Sequence, residues 1–534
     1  MIFAGDHRKS AMCTSLGVVL ALFLLTGFST TAQAVEPTSS MRVPDLVPPF
    51  EDFEWTYFGI GGYGHEMVVE SILREDDRLE YEVLGEVFDL SGGEAGGDFS
   101  LTVRYTVQPE VLIQEHDGEQ MLESRYDRVE LIRTPLEEGN SWTQEVADDG
   151  GEVQTLECVI TNVKFEDGLR TYTVEYRDME GPYWERREIT EGLGITSFAR
   201  YMSGDDADYE VGYSIHREGS GVDIDGTFQD VESEAWFIGD LGPLVVMELF
   251  EGYPDGTFRP DSEITAAEFI KLIVAARGYH ETPGEATWYT PYVERAMSLG
   301  ILEEGLIEDL DLPISREVMT VLMVRAIGET PVAGTLDFDD ADAIDSRFRD
   351  YVTAAVDRGI IAGYPDGSFR PGESASRAEA AKLLWATARA IEIDPFLPAD
   401  ALELEREFRD RLFQETVDGE GTFPRVRDFD DAASLVDYLA EIMDRALAEE
   451  YVEEFFEEDF YDEDDGALYL IPRDGPTFIE EEASFQLHVQ NPRRYYLIQD
   501  HHSELVGGRY RLRLDYRYSG DSWIILNRQV EVLD

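Results

Sequence analysis

The segment GYPDGSFRPGESASRAE, residues 363–379, repeats an earlier stretch of the chain, GYPDGTFRPDSEITAAE, residues 252–268. The two copies have the same length and keep the same glycines, proline, aromatic residues and arginine. Matching residues lie at one constant offset, as from Gly252 to Gly363 and from Thr265 to Ser376, so the copies indicate an internal duplication. The open question is whether the segment is only a turn and a helix start, or a module that binds a ligand.

Local chemistry explains much of the segment as a turn followed by a capped helix. Pro-Asp-Gly is typical of a tight turn. Thr265 with Glu268, and Ser376 with Glu379, match the capping-box pattern. In that pattern the hydroxyl accepts from the third backbone N–H of the helix and the glutamate reaches back to the first residue. The apolar residues that follow have helical spacing.

Cationic side chains near the helix starts need another explanation. Arg377, and Arg316 in a degenerate middle copy, fall in the first helical turn, where the helix dipole disfavours a positive charge. Lys271 and Lys382 each follow the capping glutamate by three residues, in a chain that otherwise almost lacks lysine. Cations beside the free N–H groups of a helix start indicate an anion-binding site.

The duplicated unit occurs three times between residues 228 and 392. The middle copy contains PISREVMTVLMVRAIG, residues 313–328, which repeats the second helix of the unit. Each copy also has an aromatic lead-in helix before its turn, and a period of this size is typical of stacked repeats. We predict a central all-α region with repeats at about 228–280, 281–333 and 334–392.

This region resembles the S-layer homology (SLH) region of bacterial surface proteins. The matching features are F-x-D-V, here FQDV at 228–231, the GYPDGTFRP turn and a helix start of the T-R-A-E type. The resemblance implies a pseudo-trimer, a three-fold helical prism that binds pyruvylated secondary cell-wall polysaccharide. It therefore implies non-covalent anchoring of an exported protein at the cell surface or S-layer, with modified peptidoglycan as the alternative wall ligand.

The resemblance also implies which residues bind, with the arginine of T-R-A-E near the acidic pyruvyl ketal. The first copy has Ala266 in place of that arginine. The second copy keeps Arg316, but Val318 replaces its capping glutamate and its turn has lost Tyr-Pro-Asp-Gly. We therefore expect one intact copy, the third, and two impaired ones. The expected polysaccharide-binding residues are Asp255, Gly256, Glu268, Lys271, Arg316, Tyr364, Asp366, Gly367, Arg377, Glu379 and Lys382.

The flanking regions have other patterns, which make the chain multidomain. Residues 1–34 combine a positive start, an apolar run and a small-residue cleavage site, which predicts a signal peptide and no membrane span after its removal. Residues 35–50 are rich in proline and serine and predict a linker. Residues 51–218 alternate with period two, which predicts a mostly antiparallel β domain. Residues 401–534 pass from amphipathic helices to strands, which predicts a separate α+β domain.

Charge and cysteine content exclude several functions. The formal net charge is −70 and the pI about 4.2, so phosphates of nucleic acid and anionic lipid would be repelled. Cleavage of the signal peptide leaves Cys158 as the one cysteine, which excludes an intrachain disulfide.

The chain shows no strong sequence signal for a metal, a cofactor or catalysis. His65-Glu66 lacks the second histidine of a zinc-protease helix, and Asp223-x-Asp225 matches only part of a calcium loop. His501-His502 has no ligand partner at metal spacing. We expect a non-enzymatic protein without metal or cofactor. The alternatives are a wall-anchored hydrolase or a ligand-binding protein, either with its site in a flanking domain.

One predicted strand near the C-terminus has a basic face. Arginines alternate with apolar residues between 509 and 518. The simpler interpretation is cross-strand pairing with an acidic neighbour such as Glu531. The alternative is contact with a wall polyanion.

Overall fold

The computed structural model describes residues 42–59, 63–89, 99–117, 124–147, 151–166, 168–203, 208–217, 220–284, 287–414, 417–418, 424–427, 429, 431–458, 468–471, 476–503 and 508–533. The predicted signal peptide lies outside these residues. Everything described belongs to one compact unit that begins at residue 37. Each helix among the described residues is too short or too polar to cross a lipid bilayer.

The N-terminal region is an antiparallel sheet, as its period-two pattern predicts. Val103 and Tyr105, on the face predicted to be apolar, are buried. The strands are β1 (Phe53–Gly59), β2 (Tyr63–Glu75), β3 (Arg78–Asp89), β4 (Phe99–Gln108), β5 (Val111–Asp117), β6 (Arg128–Arg133), β7 (Ser141–Ala147), β8 (Val153–Glu166), β9 (Leu169–Asp178), β10 (Trp184–Thr190), β11 (Gly194–Ser203), β12 (Asp208–Ile215) and β13 (Gly221–Val222).

The sheet curls until it nearly closes on itself. Its strands follow the order β7-β8-β9-β10-β11-β12-β1-β2-β3-β4-β5-β6. At the seam between β6 and β7, the side-chain amide of Gln144 makes the kind of hydrogen bonds that the backbone of a paired strand would make. Its Oε1 accepts from the N–H of Glu130 at 2.8 Å, and its Nε2 donates to the carbonyl of Glu130 at 3.0 Å. A side chain thus satisfies the backbone groups that an open edge would leave unpaired.

The described part of the predicted linker is packed rather than exposed. A 3-10 helix spans Val43–Leu46, and both of its end residues are fully buried. Phe50 is also buried, and its ring lies 5.9 Å from that of Trp385. The difference from an exposed linker arises because Val43, Leu46 and Phe50 bury apolar surface against the sheet and the helices.

The central region is helical, as predicted. Its described residues contain six α-helices, which alternate between lead-in helices and helices that follow a turn. They are α1 (Ile238–Val246), α2 (Ala266–Ala276), α3 (Thr290–Ser298), α4 (Arg316–Ala326), α5 (Arg349–Asp357) and α6 (Arg377–Ala390). The helices α2, α4 and α6 contact one another and supply much of the buried apolar surface of this region.

The C-terminal region contributes helices and a second group of strands. The helices are α7 (Pro398–Arg409), α8 (Ala432–Leu439) and α9 (Arg445–Phe455). The strands are β14 (Val417–Asp418), β15 (Arg425–Val426), β16 (Phe456–Glu458), β17 (Leu468–Leu470), β18 (Gln486–Asn491), β19 (Arg494–Ser503), β20 (Gly508–Ser519) and β21 (Ser522–Leu533). The strands β14 to β17 form a small sheet of their own.

The strands β18 to β21 continue the N-terminal sheet. β18 pairs with β2 at His488 and Leu73, and β19, β20 and β21 follow as an antiparallel meander. Local periodicity identifies these strands but carries no information about so distant a partner. The sequence analysis therefore placed them in a separate domain.

Two turns between these strands contact the C-terminal end of α2. The guanidinium of Arg493 donates to the carbonyl of Ala276, at the end of α2. Just beyond that helix, the N–H of Gly520 donates to the carbonyl of Gly278 at 3.0 Å. The duplicated turns lie at the opposite, N-terminal ends of α2 and α6.

Candidate functional site

The starts of α2, α4 and α6 meet in a closed ring of hydrogen bonds between copies. The first backbone N–H of each helix donates to a carbonyl in another copy's turn segment. These bonds run from Arg377 to Ser262, from Arg316 to Glu373 and from Ala266 to Leu312, each at 2.9 Å. We name each contact after the copy that supplies the turn. Arg377 thus belongs to the first junction, Ala266 to the second and Arg316 to the third.

The ring uses the N–H groups that the sequence analysis expected to be free for an anion. In α6, the N–H groups of Arg377 and Ala378 donate to carbonyls of the first copy, and that of Glu379 donates to the Ser376 hydroxyl at 3.2 Å. The same pattern holds in α2. The expectation of free helix-start N–H groups was therefore wrong for these two helices, because ring closure satisfies them first.

The duplicated turn has one geometry in the first and third copies. In the third copy, the N–H of Tyr364 donates to the carbonyl of Ser368 at 2.8 Å, and that of Gly367 to the carbonyl of Tyr364 at 2.9 Å. Gly367 has a φ of 83° and Gly256 a φ of 80°. This left-handed conformation favours glycine, so both glycines have a structural reason to be present.

The aspartates of the two turns stabilise the turns themselves. Asp366 accepts from the backbone and hydroxyl of Ser368 at 3.0 and 2.6 Å, and from the guanidinium of Arg370 at 2.8 Å. These bonds hold the pKa of Asp366 well below its ordinary value. The equivalent bonds, led by the one from the Thr257 hydroxyl, lower the pKa of Asp255 to about 2. Both carboxylates are charged at neutral pH.

The predicted capping boxes are confirmed in α2 and α6. Glu268 accepts from the N–H of Thr265 at 2.9 Å and also from the Tyr253 hydroxyl at 3.1 Å. In the third copy, the Tyr364 hydroxyl donates to Glu379 at 2.8 Å. The glutamate therefore ties the turn to the helix that follows it.

Arg377 is buried in the first junction. Its Nε donates to the carbonyl of Phe258 at 2.8 Å, and its Nη2 to the carbonyl of Glu251 at 3.1 Å. The guanidinium lies over the rings of Tyr253 and Phe258, at 4.7 and 4.9 Å from their centroids. Only 4% of the residue is exposed, and this burial lowers its pKa. The arginine fastens the helix of one copy to the turn of another.

Arg316 has the same environment in the third junction. Its Nη2 donates to the carbonyl of Ala362 at 2.7 Å, and its guanidinium lies 4.8 Å from the Tyr364 ring and 5.3 Å from the Phe369 ring. Like Arg377, it is buried and its pKa is lowered by burial. Its Nε has no hydrogen-bond partner among the described residues.

The structure groups the expected binding residues differently from the sequence analysis. Arg377 does not lie beside Tyr364 and Asp366, although these residues belong to the same copy. The first junction contains Asp255, Gly256, Glu268, Lys271 and Arg377. The third junction contains Tyr364, Asp366, Gly367, Glu379, Lys382 and Arg316. Proximity in the sequence could not reveal this exchange of arginines between copies.

The missing arginine and the missing Tyr-Pro-Asp-Gly turn both fall on the second junction. Ala266, which stands in place of the arginine, is 1% exposed and donates its N–H to the second copy. The second copy is also the one that has lost Tyr-Pro-Asp-Gly, and its Glu303 pairs with Arg325 at 3.0 Å instead. An arginine at position 266 would have no aromatic turn to contact. The chain therefore keeps two complete junctions, where the sequence analysis expected one.

The remaining metal candidates have structural explanations. His65 is fully buried among aromatic rings, and burial lowers its pKa to about 3. Asp223 accepts from the N–H of Asp225 at 2.7 Å, as in an Asp turn. His501 is buried against Tyr510. Within the described ranges, no group of His, Cys, Asp and Glu side chains could hold a metal ion.

The basic face of β20 pairs with acidic neighbours. Arg511 contacts Asp500 of the adjacent strand β19 at 2.7 Å, and Arg509 contacts the same carboxylate at 3.5 Å. Arg517 contacts Asp444 at 3.2 Å. Cross-strand pairing is thus present, although its main partner is Asp500 on the preceding strand rather than Glu531.

The repeats match a known family. The model of the S-layer homology domain matches residues 227–270 and 337–381, which are the first and third copies. The chain contains S-layer homology domains. The second copy, whose turn and cap are degenerate, falls between these two matches.

Several relatives match parts of this chain. The "Cellulosome-anchoring protein" of Acetivibrio thermocellus is 26% identical over 204 residues, which is 38% of this chain and 33% of that protein. The "Amylopullulanase" of Thermoanaerobacterium thermosulfurigenes is 28% identical over 177 residues, 30% of this chain and 10% of that protein. The "Middle cell wall protein" of Brevibacillus brevis is 35% identical over 75 residues, 14% of this chain and 7% of that protein.

The match to each of these relatives covers a third of its length or less. The family match and the relatives together point to an extracellular location, at the cell surface or cell wall.

Proposed function

We propose that this protein is anchored non-covalently to the cell wall by its S-layer homology repeats, which bind pyruvylated secondary cell-wall polysaccharide. The observation that carries the proposal is the pair of complete junctions, in which Arg377 and Arg316 each join a helix of one copy to the Tyr-Pro-Asp-Gly turn of another. The proposed role is non-enzymatic. The matching relatives include one named as an anchoring protein and one named as an amylopullulanase, so the names of the relatives do not assign one enzymatic activity.

The three copies are proposed to form a pseudo-three-fold helical prism. The cyclic hydrogen bonds among the helix starts support this arrangement, as do the bridges between residues 263 and 376, 265 and 313, and 315 and 374. Such a ring gives each junction one helix start and one turn from different copies. Two binding sites on one chain would also raise the avidity for a polymeric ligand.

The side chains divide into two proposed roles. Arg316 and Arg377 are buried and shape the junctions, together with the glycines and the capping glutamates. Lys271 and Lys382 are more exposed than these arginines, and we assign them the contact with an acidic sugar. Asp255 and Asp366 stabilise their turns, and each accepts from the arginine four residues later in its own turn.

Sedimentation of the full-length protein with purified wall sacculi tests this function. We expect binding to untreated walls whose secondary polysaccharide carries pyruvyl ketals. We expect it to be lost after mild acid hydrolysis of the pyruvyl ketals, and after removal of the whole polysaccharide. Binding that persists on stripped sacculi would assign modified peptidoglycan as the ligand instead. No sedimentation with untreated walls would show that the anchoring proposal is wrong.

A further inference from the structure

The two complete junctions differ in the charge that surrounds their lysines. In the first junction, Nζ of Lys271 donates to Oε2 of Glu251 at 3.0 Å. Lys382 is the equivalent lysine of the third copy, and Ala362 stands where the first copy has Glu251. The equivalence is structural as well, because the carbonyls of Glu251 and Ala362 each accept from the buried arginine of their junction.

Lys382 has no ion pair within the part of the chain that the structure describes, and its side chain is exposed. Asp240 of α1 is half-buried, and burial raises its pKa, whereas the positive charges of Lys382 and Arg389 oppose that rise. A ligand anion could therefore reach Lys382 directly. An anion approaching Lys271 would have to compete with Glu251 for the same ammonium group.

The surrounding loops extend the same contrast. Besides Glu251, the first copy has Asp261 and Glu263 where the third copy has Gly372 and Ser374. One difference runs the other way, because the third copy has Glu373 where the first has a serine, and Glu373 lies 3.6 Å from Arg370. The first junction still has the larger excess of carboxylates, and their repulsion of an anion is strongest at low ionic strength.

We propose that the third junction is the tighter of the two sites for an anionic sugar, and that the residue at positions 251 and 362 sets this order. The inference rests on the proposed function and assigns unequal affinities to its two sites. The ligand class is a glycan that carries a carboxylate, since only a charged ligand would distinguish a free lysine from a paired one. The chain would then be held mainly by one junction at low ligand density.

Internal duplication supplies reciprocal variants for a test on the full-length protein. A362E places in the third junction the carboxylate that the first one has, and A362Q is its uncharged control of similar size. E251Q removes the carboxylate from the first junction with little change of shape. The probes are a methyl glycoside bearing a pyruvate ketal and the same glycoside without the ketal, and calorimetric titration measures affinity at low and high salt.

We expect wild type to bind the ketal glycoside at two sites of unequal affinity. A362E should lower the affinity of the tighter site about threefold, and E251Q should raise the affinity of the weaker site about threefold. A362Q should change neither affinity. The changes are small because each variant alters one exposed charge pair. High salt should reduce these differences. The ketal-free glycoside should not distinguish the variants. Thermal unfolding at unchanged temperature would show that all three variants are folded.

Equal effects of A362E and A362Q would overturn the inference, because size rather than charge would then be responsible. A change in the affinity of the tighter site in E251Q would also overturn the inference. Wild type that sediments with walls but has no affinity for the ketal glycoside would overturn the anionic ligand class while leaving wall anchoring intact. Wild type that binds neither walls nor glycoside would overturn the proposed function, and this inference with it.

Discussion

The second and third junctions have the same backbone and different side chains. In both, the first N–H of a helix donates to a carbonyl of another copy at 2.9 Å. The third junction adds the buried guanidinium of Arg316 between two aromatic rings. The second has Ala266 at that position and no aromatic turn opposite.

This difference separates closure of the ring from ligand binding. Backbone hydrogen bonds are available to any sequence that can form the turn and the helix start, so they persist where the motif has decayed. The arginine and the aromatic turn depend on each other, since a buried guanidinium needs acceptors and the carbonyls need a donor. Loss of either the arginine or the aromatic turn leaves the other without its partner, and the remaining one no longer stabilises the junction. Both losses therefore occur in one junction and leave two complete sites.

The largest expected effect comes from breaking the third junction itself. Arg316→Ala leaves the Ala362 carbonyl without its donor and opens a void beside Tyr364 and Phe369. We expect the free energy of unfolding to fall by about 3 kcal/mol. Chemical denaturation followed by far-UV circular dichroism measures it.

The matched control for that variant is Arg347→Ala, which removes an exposed arginine whose contacts with Asp345 and the Phe348 ring lie within its own copy. Its unfolding midpoint should equal that of wild type. If Arg316→Ala is as stable as Arg347→Ala, then the buried arginines do not hold the copies together, and the comparison between junctions loses its physical basis.

A smaller effect is expected from adding an arginine to the second junction. Ala266→Arg places a long cation at a position that is 1% exposed and faces no aromatic turn. We expect overpacking and an unpaired charge to lower the free energy of unfolding by about 2 kcal/mol, without a third binding site. Denaturation and the stoichiometry of glycoside binding measure the two parts of this prediction. A more stable protein with an additional site would mean that the second junction lacks only its arginine.

The smallest expected effect comes from the helix caps, where one copy has a capping bond that another copy lacks. The Ser376 hydroxyl accepts from the N–H of Glu379, whereas the Ser315 hydroxyl makes no capping bond and has Val318 opposite. Ser376→Ala should lower the free energy of unfolding by about 1 kcal/mol. Ser315→Ala should lower it by much less. Thermal unfolding of both variants measures the two losses. Equal losses would show that the hydroxyl acts at these positions through something other than capping.

Local patterns predicted the secondary structure well. The alternation around Val103 and Tyr105 identified a strand with one buried face. The S/T-x-x-E pattern located the starts of α2 and α6 to the residue. These predictions succeed because the interactions behind them join residues a few positions apart. The same patterns could not identify the pairing of β18 with β2, or the burial of Phe50 in a segment that looked like a linker.

For the candidate site, the sequence identified the residues but not their partners. It marked the arginines as unusual, because a cation in the first helical turn opposes the helix dipole. It then assigned Arg377 to its own copy, while the structure places it on the turn of the first copy. One signal in the sequence pointed to this exchange. The copy that lost its arginine directly precedes the copy that lost its turn. This order is expected if the arginine of each copy binds the turn of the next copy, and if the arginine of the third copy binds the turn of the first.

The sequence by itself determined the duplication, the turn, the caps and the scarcity of lysine, because each of these depends on local backbone geometry or on composition. Only the tertiary structure decided that two junctions are complete and one is not. A junction forms between a helix and a turn from different copies, and ring closure brings together residues more than a hundred positions apart, such as Arg377 and Phe258. Which arginine meets which turn is therefore a property of the closed ring and not of any single copy.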